Sequence, residues 1–255
     1  MNRLRVLVPT WPKLVFVVEW TLAGILLTLQ HRGDIREFAL NLIWPFVILY
    51  FVGCLFVAMS DRYSTGLRFT QLWLIAALLV LIDHALKLVA VLSLSVGNKI
   101  SLLGEAVQFA NIHNPTTWLA NTLKVAVGVE IIVITLVVFL ICTLLVHRFY
   151  EVNYRRSFWS HMSFAFLFAA FASAIIDYLF RGHVVDYILL PGVYAFDLKD
   201  FYSQVGVATS AIEGFDNSHI SKRWKGWRME YRETKNLVER FARFTVSGCS
   251  VIGRR

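Results

Sequence analysis

Charged residues are scarce in this sequence. Asp, Glu, Lys and Arg make up 16% of the 255 residues, whereas a typical soluble domain has about 25%. Hydrophobic residues make up 57%, and the mean hydropathy is +0.60. A soluble domain of this composition would expose large apolar patches to water, so the sequence predicts an integral membrane protein.

Several short functional motifs are also absent. The three cysteines, Cys54, Cys142 and Cys249, form no CxxC pair, so neither a disulfide framework nor a zinc site is indicated. No glycine-rich phosphate loop, HExxH or GxSxG occurs. The net charge of +8 is more typical of cytoplasmic loops in a membrane protein than of nucleic-acid binding. We therefore predict no metal, no cofactor and no nucleic-acid partner.

Long apolar segments are what the sequence does contain. A helix needs roughly 20 apolar residues to cross a bilayer, and five segments approach that length. A sixth segment is weaker because it is short and contains Gln204. The predicted crossings are 14–30, 38–59, 69–96, 122–147, 162–180 and 201–214.

The distribution of Lys and Arg predicts the orientation of these crossings. Both ends of the chain and loops 60–68 and 147–161 carry an excess of positive charge, whereas 31–37, 97–121 and 181–200 do not. Positive loops stay in the cytoplasm, so we predict six crossings with both termini inside. Loop 97–121 is long and polar, which favours a small extracytoplasmic sheet or cradle.

Two aspartates, Asp186 and Asp200, lie fourteen residues apart in the last predicted outer segment, 181–200. Carboxylates beside membrane helices are costly and usually have a function. Two carboxyl groups that share a proton can hydrolyse a peptide, because one accepts a proton from water and the other donates one to the leaving group. If the two side chains meet in space, they predict a membrane aspartyl protease.

A second set of polar residues precedes this pair. Asp83 and Lys87 are four residues apart, which places both on one face of a helix and requires that face to meet protein or water. The pair either holds helices in register or also shapes a nearby site. The segment His113-Asn114-Pro115 is, by itself, an ordinary turn sequence.

The order of these motifs resembles that of the lipoprotein signal peptidases (signal peptidase II). That family has Asp-x-x-x-Lys, an Asn-led outer loop, Gly-Asn-x-x-Asp-Arg, Val-Val-Asp-Phe and Phe-Asn-x-Ala-Asp, in that order. The resemblance covers about residues 69–215. The matching segments are Asp83–Lys87, His113–Pro115, Arg181–Ile188 and Phe196–Asp200.

The resemblance and the six predicted crossings together indicate an all-α membrane protein with six transmembrane helices, four of them in the core that the resemblance covers. Residues 67–215 would form a four-helix catalytic core with a small extracytoplasmic β-cradle. Residues 1–66 would be an N-terminal two-helix transmembrane extension, and residues 216–255 a basic cytoplasmic tail. The resemblance implies the bacterial plasma membrane, and the charge distribution predicts that the site faces outward and that both termini are cytoplasmic.

The resemblance also implies roles for individual residues. The family cleaves the signal peptide from diacylglyceryl-modified prolipoproteins, immediately before the lipidated cysteine. Asp186 and Asp200 would be the catalytic dyad of an aspartic endopeptidase. A lipid-modified or apolar peptide would be the substrate, reached among membrane lipids, with the oligomeric state left open. The supporting or substrate-binding residues would be Asp83, Lys87, Asn114, Asp177 and Asp197.

Five positions depart from the family pattern and indicate a divergent member. Ser173-Ala174 stands where the family has Gly-Asn, and Tyr178 stands where it has Arg. Asp197 replaces an Asn and adds a third carboxylate beside the dyad, which would raise the pKa of its neighbours. Lys199 replaces a small residue and would offset the charge of Asp197.

Three alternatives to the peptidase remain open. The first is a non-catalytic relative that binds lipidated or apolar peptides, which the missing Asn and Arg favour. The second is a transporter or channel in which Asp83, Lys87, Asp177 and the outer aspartates line a path, although repeated halves with broken helices are not visible. The third is a metal site. It would be built from His84, His113, His183 and the acids, among which no ligand spacing is diagnostic.

Overall fold

Helices dominate the fold. A computed structural model describes residues 9–18, 21, 35–104, 107–116, 127–154, 156–190, 194–216 and 227–247. Within these ranges a helical stretch at 11–18 precedes the longer helices. Those are α1 (Ile35–Arg62), α2 (Phe69–Ser93), α3 (Val129–Asn153), α4 (Phe158–Arg181), α5 (Leu198–Asp216) and α6 (Trp227–Val246).

A small antiparallel sheet lies beside the helices. Its strands are β1 (Lys99–Leu103), β2 (Val107–Asn114), β3 (Val184–Leu190) and β4 (Tyr194–Phe196), in the order β1-β2-β3-β4. The sequence predicted a sheet within loop 97–121, and β1 and β2 lie there. The other two strands come from the chain between α4 and α5. The described fold is therefore mostly helical, with one small antiparallel sheet built from two separate parts of the chain.

Three described helices, α2, α3 and α4, are long and apolar enough to cross a membrane. They correspond to the predicted crossings 69–96, 122–147 and 162–180. Helix α3 ends later than predicted, since apolarity marks the part in lipid, whereas hydrogen bonding continues into the polar residues up to Asn153. It begins at Val129, and the predicted residues 122–126 lie outside the described residues. Segments 38–59 and 201–214 lie within α1 and α5, and most of 14–30 lies outside the described residues. Six crossings stay a prediction.

Helix α4 lies at the centre and packs against α2, α3 and α5. Its buried face is rich in alanine, including Ala165 and Ala169, which lets neighbouring helices approach closely. On α5, a Cβ at Gly206 would lie 2.6 Å from Cγ of Leu167, so this contact requires glycine. Close packing of α4 on α5 fixes both ends of the segment between them, which carries Asp186 and leads to Asp200 in the first turn of α5.

The N-terminal part packs on the same two helices. Phe16, Leu49 and Phe56 share a buried cluster with Phe158 of α4 and Val205 of α5. At the other end of the chain, the ring of Phe244 in α6 lies 5.4 Å from that of Phe149 near the end of α3. The division at residues 66 and 215 stays a prediction, and part of the tail that includes Trp224 lies outside the described residues.

Candidate active site

The two predicted catalytic aspartates come from different elements and meet. Asp186 is in the middle of β3 and is 4% exposed, whereas Asp200 is in the first turn of α5. One carboxylate oxygen of Asp186, one of Asp200 and one of Asp197 all lie within 4.8 Å of one another. Two hydrogen bonds of about 2.8 Å each can reach across such a separation, so a single water molecule could contact both carboxylates.

The end of α4 determines where Asp186 lies. Gly182 adopts a left-handed conformation, with φ of 72°, and terminates the helix. The chain then enters β3, where successive side chains point to opposite faces. Val185 and Tyr187 pack on Ala90 of α2, so Asp186 points to the other face of the strand.

A reciprocal capping interaction places Asp200. The backbone N–H of Asp200 donates to Oδ1 of Asp197 at 3.2 Å, and the N–H of Asp197 donates to Oδ2 of Asp200 at 3.4 Å. This is the capping-box arrangement of an N-cap residue and the third residue of a helix. Asp197 therefore begins α5 and holds Asp200 at its N-terminus, where the helix dipole favours negative charge.

Lys87 lies at the centre of a buried ion cluster. Its Nζ lies between 2.5 and 2.7 Å from carboxylate oxygens of Asp83, Asp177 and Asp197. All four side chains are fully buried. A buried charge is tolerated only when it is paired, so this cluster ties α2, α4 and the start of α5 into one geometry.

Lys199 joins this cluster to the dyad. Its Nζ lies 3.0 Å from Oδ1 of Asp197 and 3.0 Å from Oδ1 of Asp200. Asp197 is thus held between two lysines, Lys87 and Lys199. The third carboxylate that the sequence places beside the dyad is neutralised from both sides.

Asn114 and Asp177 also lie at this site. The amide of Asn114 donates to Oδ2 of Asp186 at 3.3 Å, because β2 and β3 pair with Asn114 opposite Val184. Asp177, in the last turns of α4, accepts from Lys87 and from Nη1 of Arg181. All seven residues selected from the sequence are therefore brought into one connected group.

Electrostatics differ among the three outer aspartates. Burial raises the pKa of Asp186 to about 7, with Lys199 opposing and Asp200 and Asp197 adding to the rise. Burial also raises the pKa of Asp200, although Lys199 lowers it and 48% of the side chain is exposed. Burial would raise the pKa of Asp197 too, but Lys199 and Lys87 bring it below its usual value. A shared proton therefore belongs to Asp186 and Asp200, while Asp197 stays ionised.

Two polar contacts of the site were missed by sequence reasoning. The hydroxyl of Tyr187 donates to Oδ1 of Asp83 at 3.2 Å and accepts from the N–H of Leu198 at 3.1 Å. Arg181 pairs with Asp177 one helical turn earlier. The four-residue spacing of that pair was available in the sequence, whereas the tyrosine contact depends on how β3 lies against α2.

The histidines do not form the alternative metal site among the described residues. The rings of His113 and His183 stack with centroids 3.9 Å apart, and Nδ1 of His84 lies 3.8 Å from Oδ1 of Asp177. Within the described part of the chain, the groups close enough to share an ion contain aspartates alone. They are Asp83, Asp177 and Asp197, between which Lys87 already lies, and Asp186, Asp197 and Asp200.

A family model described as signal peptidase (SPase) II matches residues 75–215, more than half of the chain. The chain belongs to the signal peptidase II family. The resemblance found in the sequence is thus confirmed. Family membership identifies a membrane protein of an aspartyl protease family that processes lipoproteins, and supports activity as a hydrolase.

Two solved structures share the fold. Both are described as bacterial membrane enzyme structures obtained by the in meso method, at 2.3 and 1.9 Å resolution. Their TM-scores are 0.54 and 0.53, their identities 17% and 18%, and the matches cover 64% and 61% of this chain and 98% of each other chain. No curated protein sequence matches the chain.

Proposed function

We propose that this protein is a membrane aspartyl endopeptidase that removes signal peptides from prolipoproteins, with Asp186 and Asp200 as its catalytic pair. One observation carries the proposal. Oxygens of these two carboxylates lie within 4.8 Å of each other, in a chain of a family of lipoprotein-processing peptidases.

The pair would hydrolyse the peptide through a bound water molecule. The ionised carboxylate removes a proton from the water while the water oxygen attacks the scissile carbonyl carbon. The protonated carboxyl donates to the carbonyl oxygen as the tetrahedral intermediate forms. Collapse of that intermediate breaks the C–N bond. The leaving nitrogen takes a proton from the carboxyl group that received one from water, and the other carboxylate takes back a proton from a hydroxyl group of the intermediate. The products are a peptide carboxylate and a new N-terminal amine.

The electrostatics suit this chemistry near neutral pH. With the pKa of Asp186 near 7 and that of Asp200 also raised by burial, the pair retains one proton at a pH at which an exposed aspartate is ionised. Asn114 orients Asp186 through its amide. The buried cluster of Asp83, Lys87, Asp177 and Asp197 would hold the two elements in place.

The substrate would reach the pair from the membrane. We place the site at the outer face of a bacterial plasma membrane, with six crossings and both termini in the cytoplasm. A lipid-modified or apolar peptide held among the lipids then presents its scissile bond at the level of the β-sheet. Burial in a medium with little water strengthens each charged interaction there.

A cleavage assay tests the proposal. Purified full-length protein in lipid nanodiscs would receive a diacylglyceryl-modified prolipoprotein, and cleavage would be followed by gel mobility. Asp186→Asn and Asp200→Asn are each expected to lower the rate by about 100-fold or more. Asp61→Asn, a matched change at an exposed position at the end of α1, is expected to cleave like the unmodified protein.

A non-catalytic relative is the second candidate, because two residues that handle substrate in the family are replaced. Ala174 and Tyr178 stand in place of its Asn and Arg, and both are buried. Tyr178 packs on Ile132 of α3 and Val184 of β3. If the unmodified protein binds the same prolipoprotein without cleaving it, and both Asn variants bind it equally well, this second function holds and the peptidase does not.

A further inference from the structure

We propose that Lys199 is a positioning residue that makes the two catalytic aspartates unequal, keeping Asp200 ionised as the base and leaving the proton on Asp186 as the acid. The inference rests on the proposed function and assigns each carboxylate its role. It starts from an asymmetry in the nearest partners of the two side chains.

Lys199 contacts one member of the pair directly. Its Nζ lies 3.0 Å from Oδ1 of Asp200, and the side chain is 12% exposed. Asp186 is hydrogen-bonded instead by the neutral amide of Asn114, at 3.3 Å. A cation within hydrogen-bond distance stabilises an ionised carboxylate far more than a neutral amide does. The nearest partners therefore favour charge on Asp200.

The second contact of Lys199 fixes its ammonium group. Oδ1 of Asp197 lies 3.0 Å from the same Nζ, and Oδ1 also accepts the backbone N–H of Asp200. The other oxygen of Asp197 faces Lys87. Consequently, the ammonium of Lys199 is held at the start of α5 by a carboxylate that is itself anchored in the buried cluster.

Acids outnumber cations around the pair, and Lys199 is a cation that contacts Asp200 directly. The connected group around the pair contains five carboxylates, three cations, two phenols and one imidazole, contributed by α2, α4, β3 and the start of α5. They are Asp83, His84, Lys87, Asp177, Tyr178, Arg181, Asp186, Tyr187, Asp197, Lys199 and Asp200. Without the charge of Lys199, more of these carboxylates would have to be protonated at neutral pH. Asp200 is the carboxylate that would take up the additional proton.

The first test is the pH dependence of cleavage. In Lys199→Met, the acidic limb of kcat/KM is expected to move up by about one pH unit or more. At pH values below the acidic limb of the unmodified protein, that shift lowers the rate by about ten-fold. The loss should be recovered at higher pH, with KM within about two-fold of its original value. Lys199→Arg should keep the original acidic limb because the cation remains.

A double variant separates charge from packing. Asp197→Asn combined with Lys199→Ala removes one negative and one positive charge together. Its acidic limb is expected to lie between that of the unmodified protein and that of Lys199→Met. Should Lys199→Met keep the original limb, or lose the same fraction of rate at every pH, the positioning role is wrong and the residue acts through packing alone.

A second readout does not require cleavage. Infrared titration of the C=O stretch counts protonated carboxyl groups in the purified, full-length protein. Lys199→Met is expected to keep one carboxyl protonated to a higher pH than the unmodified protein and Lys199→Arg do. Identical titrations would overturn the inference. If no variant cleaves but the infrared shift is found, the proposed function fails while the effect of Lys199 on protonation stands.

Discussion

At the scale of single residues, the site contains two kinds of aspartate. Asp83, Asp177 and Asp197 surround the ammonium group of Lys87 and are fully buried as ion pairs. Asp186 is nearly as buried, but its described hydrogen bond comes from a neutral amide. The three ion-paired aspartates hold the helices in their positions, whereas the carboxyl group of Asp186 is free to exchange a proton.

This difference predicts a pH-dependent stability. An unfolded aspartate has a pKa of about 3.9, and burial raises the pKa of Asp186 to about 7 in the fold. The folded state therefore binds this proton more tightly. The stabilisation is complete below about pH 4 and is lost as the pH rises through 7. Asp186→Asn is expected to show a smaller fall in melting temperature between pH 5 and pH 8 than the unmodified protein.

The control for that measurement is Asp61→Asn, which changes an exposed carboxylate. It should retain the full fall in melting temperature. An equal fall in both variants would show that Asp186 does not carry the raised pKa.

Individual residues of the site were predictable when they stood out chemically. Asp186 and Asp200 were selected because carboxylates are rare and costly beside membrane helices. Tyr187 was not selected, since a tyrosine in an apolar strand is usually a packing residue. Its hydroxyl contacts Asp83, 104 residues earlier in the chain, and no local pattern encodes that distance.

At the scale of elements, the junction between α4 and β3 controls the position of Asp186. Gly182 has φ of 72°, and no neighbouring heavy atom lies within 4 Å of a Cβ placed there. A side chain at this position would therefore cost backbone strain of about 1 kcal/mol without a clash. We expect Gly182→Ala to lower the melting temperature slightly and to reduce cleavage as β3 shifts.

Gly97 provides a matched control, because it has φ of 83° and equally open surroundings. It lies before β1, at the far edge of the sheet from β3. Gly97→Ala should lower stability by a similar amount and leave cleavage unchanged. Equal losses of cleavage in the two variants would contradict the role of the junction.

Elements were predicted well where the signal is local. The end of α4 at Arg181-Gly182 followed from the left-handed tendency of glycine after a helix. The apolar run after it was expected to follow the membrane surface, but its pairing with β2 was not assigned. Strand pairing depends on contacts 72 residues apart, such as Asn114 with Asp186, and alternation within one strand does not name its partner.

At the scale of the whole molecule, the orientation in the membrane is the main remaining prediction. Helix α2 lies between Ser64 and Ser95, both exposed. Single-cysteine variants at these positions, in a background without the three native cysteines, would be treated with a membrane-impermeant maleimide. Ser95→Cys should react in intact spheroplasts because it lies outside, whereas Ser64→Cys should react only after permeabilisation. The reverse pattern would invert the predicted orientation.

Hydropathy predicted the spanning helices more reliably than the architecture around them. Segments 69–96, 122–147 and 162–180 correspond to α2, α3 and α4, because transfer into lipid selects long apolar runs regardless of their neighbours. The packing of Phe16 and Phe56 against α4 and α5 was not predicted. In an apolar helix, large hydrophobic side chains face protein as well as lipid, so hydropathy does not distinguish the two faces.

Mass spectrometry of the products formed in H₂¹⁸O tests the central claim most directly. If Asp186 and Asp200 activate water, the unmodified protein releases a signal peptide whose new C-terminal carboxylate carries one ¹⁸O, and a mature chain that begins at the lipidated cysteine. Asp186→Asn and Asp200→Asn should each give less than about 1% of these products, while Asp61→Asn gives the normal yield. Full product yield from either Asn variant, or cleavage at another bond, would contradict the account.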